Sequence, residues 1–259
     1  MQVYMLVGAI PGSIEAPKRL LTLFDRMQPD VITLPFTAEA PIPTIPREEI
    51  ERKRLFYTRT LNLPEVLADY LLCKTFSEKV QAPMEIVIAA AYAQAKGISL
   101  EYIKPSTHKS KVVAIESSPN SPQSKRHAAF EAFAKVLERA FPADIFEKKV
   151  IAAVRAKDKE MLEYFAGVAE DLIDHDNLLY RIADGERLPQ SIAERAEEDA
   201  EVLVEELVKR KGIVIHIDEM VNLYGKFDNI YEQLKRRNPR TTRIKLNEIE
   251  TIDEIHAMQ

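Results

Sequence analysis

Three acids and one histidine are the residues of this sequence whose types and spacing could carry out chemistry together. Asp218 and Glu219 end the β-branched run GIVIHIDE (212–219), where a buried strand would finish. His216 lies in the same run, and Glu85 falls in the first turn of a predicted helix. Carboxylates that share a cleft often have shifted pKa values and can act as general acids and bases. We therefore predict Glu85, Asp218 and Glu219 as the catalytic residues if the chain is an enzyme.

The segment GAIPGS (8–13) is a second candidate, because it joins a predicted strand to a predicted helix. Backbone amides at the start of a helix can hold an anion, so we predict Gly8, Gly12 and Ser13 as ligand-binding residues. A plain tight turn is the alternative, since the segment lacks the third glycine of a dinucleotide loop and the Gly-Lys-Ser/Thr of a phosphate loop. We predict His216 as a fourth ligand-binding residue. The alternative interpretation is that His216 is a hydrogen-bonded residue of the core.

The remaining polar clusters give less support for a site. Asp171 and His175 lie one helical turn apart and could share a cation, but without a third ligand a solvated acidic face is the simpler interpretation. The basic segments 236–245 and 104–126 lack the interleaved aromatic residues of single-strand binders. No Gly-x-Ser-x-Gly motif occurs and Cys73 has no evident histidine partner, so nucleophilic catalysis has little support.

Five β-rich runs predict the strands that would position these residues. Short continuous apolar runs are typical of strands buried in a parallel sheet, and ligands of such sheets bind at the carboxyl ends of the strands. The predicted strands are residues 2–8, 31–36, 98–103, 212–218 and 242–246, and the strand-end segments that would meet at one edge are 8–13, 35–37, 104–107 and 216–220.

Helical patterns cover most of the remaining chain. Ser13 is the predicted N-cap of the first helix, and Pro83 opens a second strong helix that Gly97 ends. A possible short strand, KVVAIE (111–116), interrupts a polar segment. The other predicted helices occupy residues 47–77, 227–237 and nearly all of 121–210, with breaks at Pro122, Pro142, Pro189 and Asp184-Gly185.

The order of these elements predicts an α/β fold, with a mainly parallel sheet flanked by helices and a large helical insertion between the third and fourth strands. The insertion far exceeds an ordinary connection, so we expect it to form a lobe. The predicted units are residues 1–120, the first part of the α/β core; 121–210, the helical lobe; and 211–259, the C-terminal strands and helix.

Hydrophobic content, net charge and cysteine count restrict the classes of protein to which the chain can belong. The chain has 259 residues, 46% of them hydrophobic, which is typical of a globular protein. A formal charge of -5 gives no general attraction to nucleic acid or anionic lipid, and no apolar run reaches the roughly 18–20 residues of a membrane span. A single cysteine excludes an internal disulfide and fits a reducing compartment, so we expect a cytoplasmic location.

The charge content and the helical periodicity predict two further properties, a thermophilic source and a homodimer. The charged fraction of 30% and the absence of tryptophan suggest a thermophilic source. An apolar stripe formed by Val202, Leu203 and Leu207 lies on a highly charged helix and favours a homodimer. The alternative is that this stripe only packs on the sheet.

Three blocks of the sequence resemble the TraB family, within the wider group that includes Tiki proteases and erythromycin esterase-like enzymes. Residues 3–34 are similar to the family's opening strand, helix and Pro-Asp-Val strand; residues 82–103 resemble its Gly-Glu helix and next strand; and residues 191–225 resemble its late helix and final strand. The resemblance covers about two-fifths of the chain and rests on analogy of pattern.

The family pattern implies metal-binding residues that this chain mostly lacks. Where the resemblance implies a histidine after the first strand, the chain has Pro11; the acid after the second strand is replaced by Pro35, and an Asp-Arg pair by Lys104-Pro105. Glu85 matches the family pattern. The resemblance also implies a Gly-x-x-His after the final strand, which this chain lacks; Asp218 and Glu219 occupy that neighbourhood.

The resemblance therefore favours a catalytically degenerate TraB-like protein without a cofactor, which binds a partner protein or a small ligand. The alternative is a metal-dependent hydrolase in which the remaining carboxylates hold Mg²⁺ or Mn²⁺ weakly. A nucleotide or nucleic-acid binder is a third hypothesis.

Overall fold

Within the part of the chain that the structure describes, five strands form a single, all-parallel sheet. They are β1 (Val3–Ala9), β2 (Val31–Pro35), β3 (Ser99–Ile103), β4 (Ile213–Glu219) and β5 (Thr241–Lys245). Their order is β3-β2-β4-β1-β5, and each neighbouring pair is parallel. The predicted α/β fold is thus confirmed.

The computed structural model describes residues 2–35, 44–103, 142–185, 187–188 and 190–250. The predicted strand 111–116, the basic segment 104–126 and the first part of the predicted helical lobe, 121–141, lie outside these ranges. No helix within the described ranges is long and apolar enough to span a bilayer.

The last long apolar run of the chain becomes the central strand of the sheet. β4 lies between β1 and β2, with Leu6 opposite His216 on one side and Thr33 opposite His216 on the other. A central parallel strand is covered on both faces, which explains why five consecutive residues of β4, 214–218, are buried.

Helices cover both faces of the sheet. One face carries α1 (Ala16–Met27), α2 (Arg47–Leu55), α3 (Glu65–Val80), α4 (Met84–Lys96), α5 (Ala143–Ala156) and α6 (Lys159–Ala183), whose apolar side chains form the larger core with those of β1, β2 and β4. The other face carries α7 (Gln190–Leu207), α8 (Met220–Tyr224) and α9 (Ile230–Arg237), which form a smaller core with Tyr4, Leu6 and Val214. Helices α5, α6 and α7 belong to the large insertion between β3 and β4, as predicted.

Ser13 does not cap the first helix, contrary to the prediction. Helix α1 begins at Ala16, and its N-cap residue, Glu15, has helical backbone angles and no side-chain capping bond. Ser13 is 1% exposed, and its carbonyl oxygen accepts the Ala16 amide, so the loop after β1 folds inward before the helix starts.

Other element boundaries follow backbone features that the sequence pattern did not identify. Lys157 adopts a left-handed conformation (φ 55°) and separates α5 from α6 without a proline or glycine. A π-helical turn, Phe56–Thr60, follows α2. The predicted helix 227–237 begins instead at Ile230, where the Asn229 side chain accepts the Glu232 amide.

Candidate functional site

The carboxyl ends of β1 and β4 bring most of the predicted site residues together. Gly8 lies opposite Asp218 and Ala9 lies opposite Glu219 in the parallel register. Glu85 reaches the same edge from the first turn of α4. The three predicted carboxylates, Glu85, Asp218 and Glu219, line one cavity of about 340 Å³, here named the edge cavity, together with Ala9, Pro11, Leu34, Pro83, Ile86, Ile217 and Asn222.

Glu85 is held against the loop after β1. Its Oε2 accepts a hydrogen bond from the Gly12 amide at 3.2 Å, and the residue is 6% exposed. Burial raises the pKa of Glu85 to about 7; hydrogen bonds from backbone amides lower it, and the Asp176 and Glu219 carboxylates raise it. A carboxyl group with this pKa exchanges its proton near neutral pH, as a general acid or base must.

His216 and Asp218 belong to a buried polar network. His216 Nδ1 lies 2.9 Å from Thr33 Oγ1, and its Nε2 lies 3.3 Å from Asp218 Oδ2. Asp218 Oδ1 accepts the Glu219 amide at 2.7 Å and the Asn222 side-chain amide at 2.9 Å. Both oxygens of Asp218 are therefore engaged at the start of α8. His216 is fully buried and hydrogen-bonded, and it is not among the residues that line the edge cavity.

Gly8 and Gly12 have different structural roles. A Cβ at Gly8 would lie 2.7 Å from Met220 Sδ and 3.1 Å from the Tyr224 ring, so the missing side chain allows α8 to pack on β1. Gly12 has a φ of 82° and no heavy atom within 4 Å of an added Cβ. This positive φ directs the Gly12 amide at Glu85, and the loop binds a carboxylate of its own chain.

Asp176 is a site residue that the sequence reasoning missed. It is 3% exposed and lies on α6, whose other buried residues include Phe165, Ala169, Leu172, Leu179 and Ala183. Burial raises its pKa to about 7, hydrogen bonds from the Ser13 side chain and the Ile14 amide lower the pKa, and the Glu15 carboxylate raises it. The available signal was its spacing, because Leu172 and Asp176 are four residues apart and an acid at that position interrupts the apolar face.

A larger cavity of about 430 Å³, here named the lobe cavity, is also lined by residues of the loop after β1. Apolar groups form most of its wall, and Asp176, Lys74, Glu78 and Ser77 are polar residues that line it. The lining residues are Pro11, Gly12, Ile14, Tyr70, Cys73, Lys74, Ser77, Glu78, Gln81, Ala82, Pro83, Leu172 and Asp176. Pro11 and Pro83 line both cavities, so the two are neighbours.

Two buried polar atoms in the wall of the lobe cavity have no hydrogen-bond partner among the described residues. They are Asp176 Oδ2 and the Tyr70 hydroxyl oxygen. A buried polar group without a partner is destabilising, and native structures contain few of them. Because Asp176 and Tyr70 both line the cavity, a polar group of a ligand could supply the partners that these two atoms lack.

The residues that the structure describes show no geometry that favours metal binding or nucleic-acid binding. Among these residues, no group of three or more His, Cys, Asp and Glu side chains is placed to hold a metal ion. In the basic segment 236–245, Arg236 pairs with Asp228 at 2.7 Å and Lys245 with Asp184 at 2.9 Å. The Arg243 guanidinium lies 4.4 Å and 4.2 Å from the ring centroids of Tyr224 and Tyr231.

No family model, curated protein or solved structure matches the chain.

Proposed function

We propose that the protein binds a small, mainly apolar ligand in the lobe cavity, at the carboxyl edge of its sheet. The observation that carries this proposal is the lobe cavity itself, a space of about 430 Å³ with a mainly apolar wall and buried, unpartnered polar atoms from Tyr70 and Asp176. Small-molecule sites are commonly concave, mostly apolar and supplied with a few polar groups that orient the ligand.

The loop after β1 supports the cavity as a built site. The Ile10 amide donates to the Tyr180 hydroxyl at 3.2 Å, and the Gly12 amide donates to Glu85. The Cys73 thiol donates to the Ile14 carbonyl at 3.4 Å. Groups from α3, α4 and α6 thus hold every second residue of one loop, from Ile10 to Ile14. A wall fixed in this way favours binding without a large rearrangement.

Binding is tested with a neutral aromatic probe, 2-naphthylmethanol, titrated calorimetrically into the full chain. We expect saturable binding to the wild type and at least about a fivefold loss of affinity in Ser77→Leu, whose added side chain fills part of the cavity. Ser99→Leu is the matched control, because Ser99 is exposed on the edge strand β3. No binding by the wild type, or equal affinity of both variants, would contradict the proposal.

A metal-dependent hydrolase is the second candidate function, with Glu85, Asp218 and Glu219 around weakly bound Mg²⁺ or Mn²⁺. The supporting observation is that these three carboxylates line the edge cavity. The engagement of both Asp218 oxygens opposes it. Saturable Mn²⁺ binding and Mn²⁺-dependent ester hydrolysis, both lost in Glu85→Gln, would support this candidate over the first.

Three further properties remain proposals: divergent membership of the TraB group, a cytoplasmic location and a homodimer. Leu203 and Leu207 are buried in the smaller core, on the face of the sheet that α7 covers. A dimer would therefore use a surface other than this stripe. Light scattering of the full chain tests self-association directly, and a monomer at micromolar concentration would contradict it.

A further inference from the structure

We infer that the ligand of the lobe cavity carries a protonated amine, which binds the Asp176 carboxylate and the Tyr70 hydroxyl while its apolar body fills the rest of the cavity. This inference rests on the proposed function, because it identifies the chemical class of the ligand for the same site.

Asp176 is the group that selects the amine. It is 3% exposed, it lines the lobe cavity, and its Oδ2 has no hydrogen-bond partner among the described residues. An ionised carboxylate accepts hydrogen bonds and donates none. An N–H donor of positive charge satisfies both the missing hydrogen bond and the buried charge, and charge-assisted bonds of this kind are the stronger ones.

Tyr70 supplies a second point of contact. Its ring packs edge-on against Phe146, with centroids 5.1 Å apart, and its hydroxyl oxygen is buried without a partner. A hydroxyl can accept one hydrogen bond while a primary ammonium offers three donors. An ammonium group bound between the Asp176 and Tyr70 side chains would satisfy both unpartnered atoms.

The charges around the cavity favour a cation over an anion. Asp176 faces the carboxylates of Glu15 and Glu85, the Cys73 thiol and the Tyr180 phenol. Lys74 is the cationic residue among those that line the cavity, and its Nζ pairs with Glu78 at 3.3 Å. A carboxylate ligand would add a like charge beside Asp176, whereas an ammonium would reduce the repulsion between Asp176 and these nearby acids.

The titration of Asp176 adds a pH dependence to the inference. Burial raises its pKa to about 7, so the carboxylate is only partly ionised at neutral pH. A bound ammonium favours the ionised form and lowers this pKa. Amine affinity should therefore increase as pH rises from 6 to 8, while the affinity of a neutral ligand should stay nearly constant.

The experiment compares three probes that share one aromatic body: 2-naphthylmethylamine, 2-naphthylmethanol and 2-naphthoate, titrated calorimetrically into the full chain at pH 8. We expect the ammonium to bind at least about tenfold more tightly than the alcohol and the carboxylate to bind least. In Asp176→Asn, which keeps the shape of the side chain, we expect the ammonium to lose about tenfold in affinity and the alcohol to change less than threefold.

Tyr70→Phe is the second variant and keeps the inference testable if Asp176→Asn does not fold. It should weaken the ammonium by about threefold to tenfold and retain the ring packing on Phe146. Alcohol binding as tight as ammonium binding, or an amine preference that survives in Asp176→Asn, would overturn the inference and leave the proposed binding function intact. Failure of all three probes to bind would overturn both.

Discussion

The Glu85 carboxylate accepts a hydrogen bond at 3.2 Å from the amide of Gly12, which lies 73 residues earlier in the chain. This bond joins the start of α4 to the loop after β1, which contributes residues to the walls of both cavities. Because Glu85 is buried, its charge state affects the stability of the fold.

Glu85→Gln should change the pH dependence of stability. The pKa of Glu85 rises from 4.5 to about 7 on folding, so its stabilising contribution is complete below pH 4.5 and is lost as pH rises through 7. We expect the variant to lose this slope and to be more stable than wild type at pH 8 by about 2 kcal/mol. Urea denaturation at pH 4.5, 6 and 8 measures this.

The stability of Glu85→Gln should still decrease in part as pH rises, because the pKa of Asp176 also rises to about 7 on folding. The exposed Glu65, in the first turn of α3, is the matched site for a control Glu→Gln substitution and should not reduce the slope. Parallel stability curves for wild type and Glu85→Gln would show that the buried carboxyl does not titrate as described.

Gly8→Ala should destabilise the protein by about 1–3 kcal/mol, because the new methyl group would overlap Met220 Sδ and crowd the Tyr224 ring. Gly167→Ala is the control, since Gly167 lies in the middle of α6 and an added Cβ meets nothing within 4 Å. That variant should gain up to about 1 kcal/mol from helix propensity. Denaturant midpoints that do not separate the two variants would be inconsistent with close packing at Gly8.

Thr33→Val should cost about 1–3 kcal/mol, because it removes the hydroxyl that lies 2.9 Å from His216 Nδ1 and leaves a fully buried ring nitrogen without that partner. Thr22→Val is the matched control. The Thr22 hydroxyl donates to the Lys18 carbonyl within α1, and its loss should cost less than 1 kcal/mol. Equal unfolding free energies for the two variants would argue against a role of the Thr33–His216 pair in stability.

Cys73 should react slowly with N-ethylmaleimide at pH 7. Burial raises the pKa of its thiol, the nearby Asp69, Glu85 and Asp176 carboxylates raise it further, and the thiolate is the reactive form. We expect at least about a 100-fold slower reaction in the folded chain than in guanidinium. Added 2-naphthylmethanol should slow it further, because Cys73 lines the lobe cavity. Rapid labelling of the folded protein would contradict this account.

The sequence by itself determined the order and approximate bounds of the strands and helices. Continuous β-branched runs and helical apolar stripes are local patterns, and Gly97, Pro142 and Asp184-Gly185 mark real helix ends because their effect on the backbone is local. The parallel sheet followed from alternating strands and helices. The sequence also identified Glu85, Asp218 and Glu219 as strand-edge and helix-start carboxylates, which meet at one cavity.

Only the tertiary structure decided which strands are neighbours and which polar groups face a cavity. β4 enters between β1 and β2 although it comes late in the chain, since pairing depends on long-range packing. The same packing occupies both oxygens of Asp218, fills the space beside Gly8, and buries Asp176 and Tyr70 around one cavity. These contacts join residues far apart in sequence, so no local pattern specifies them, and the roles of these side chains depend on how the helices pack on the sheet.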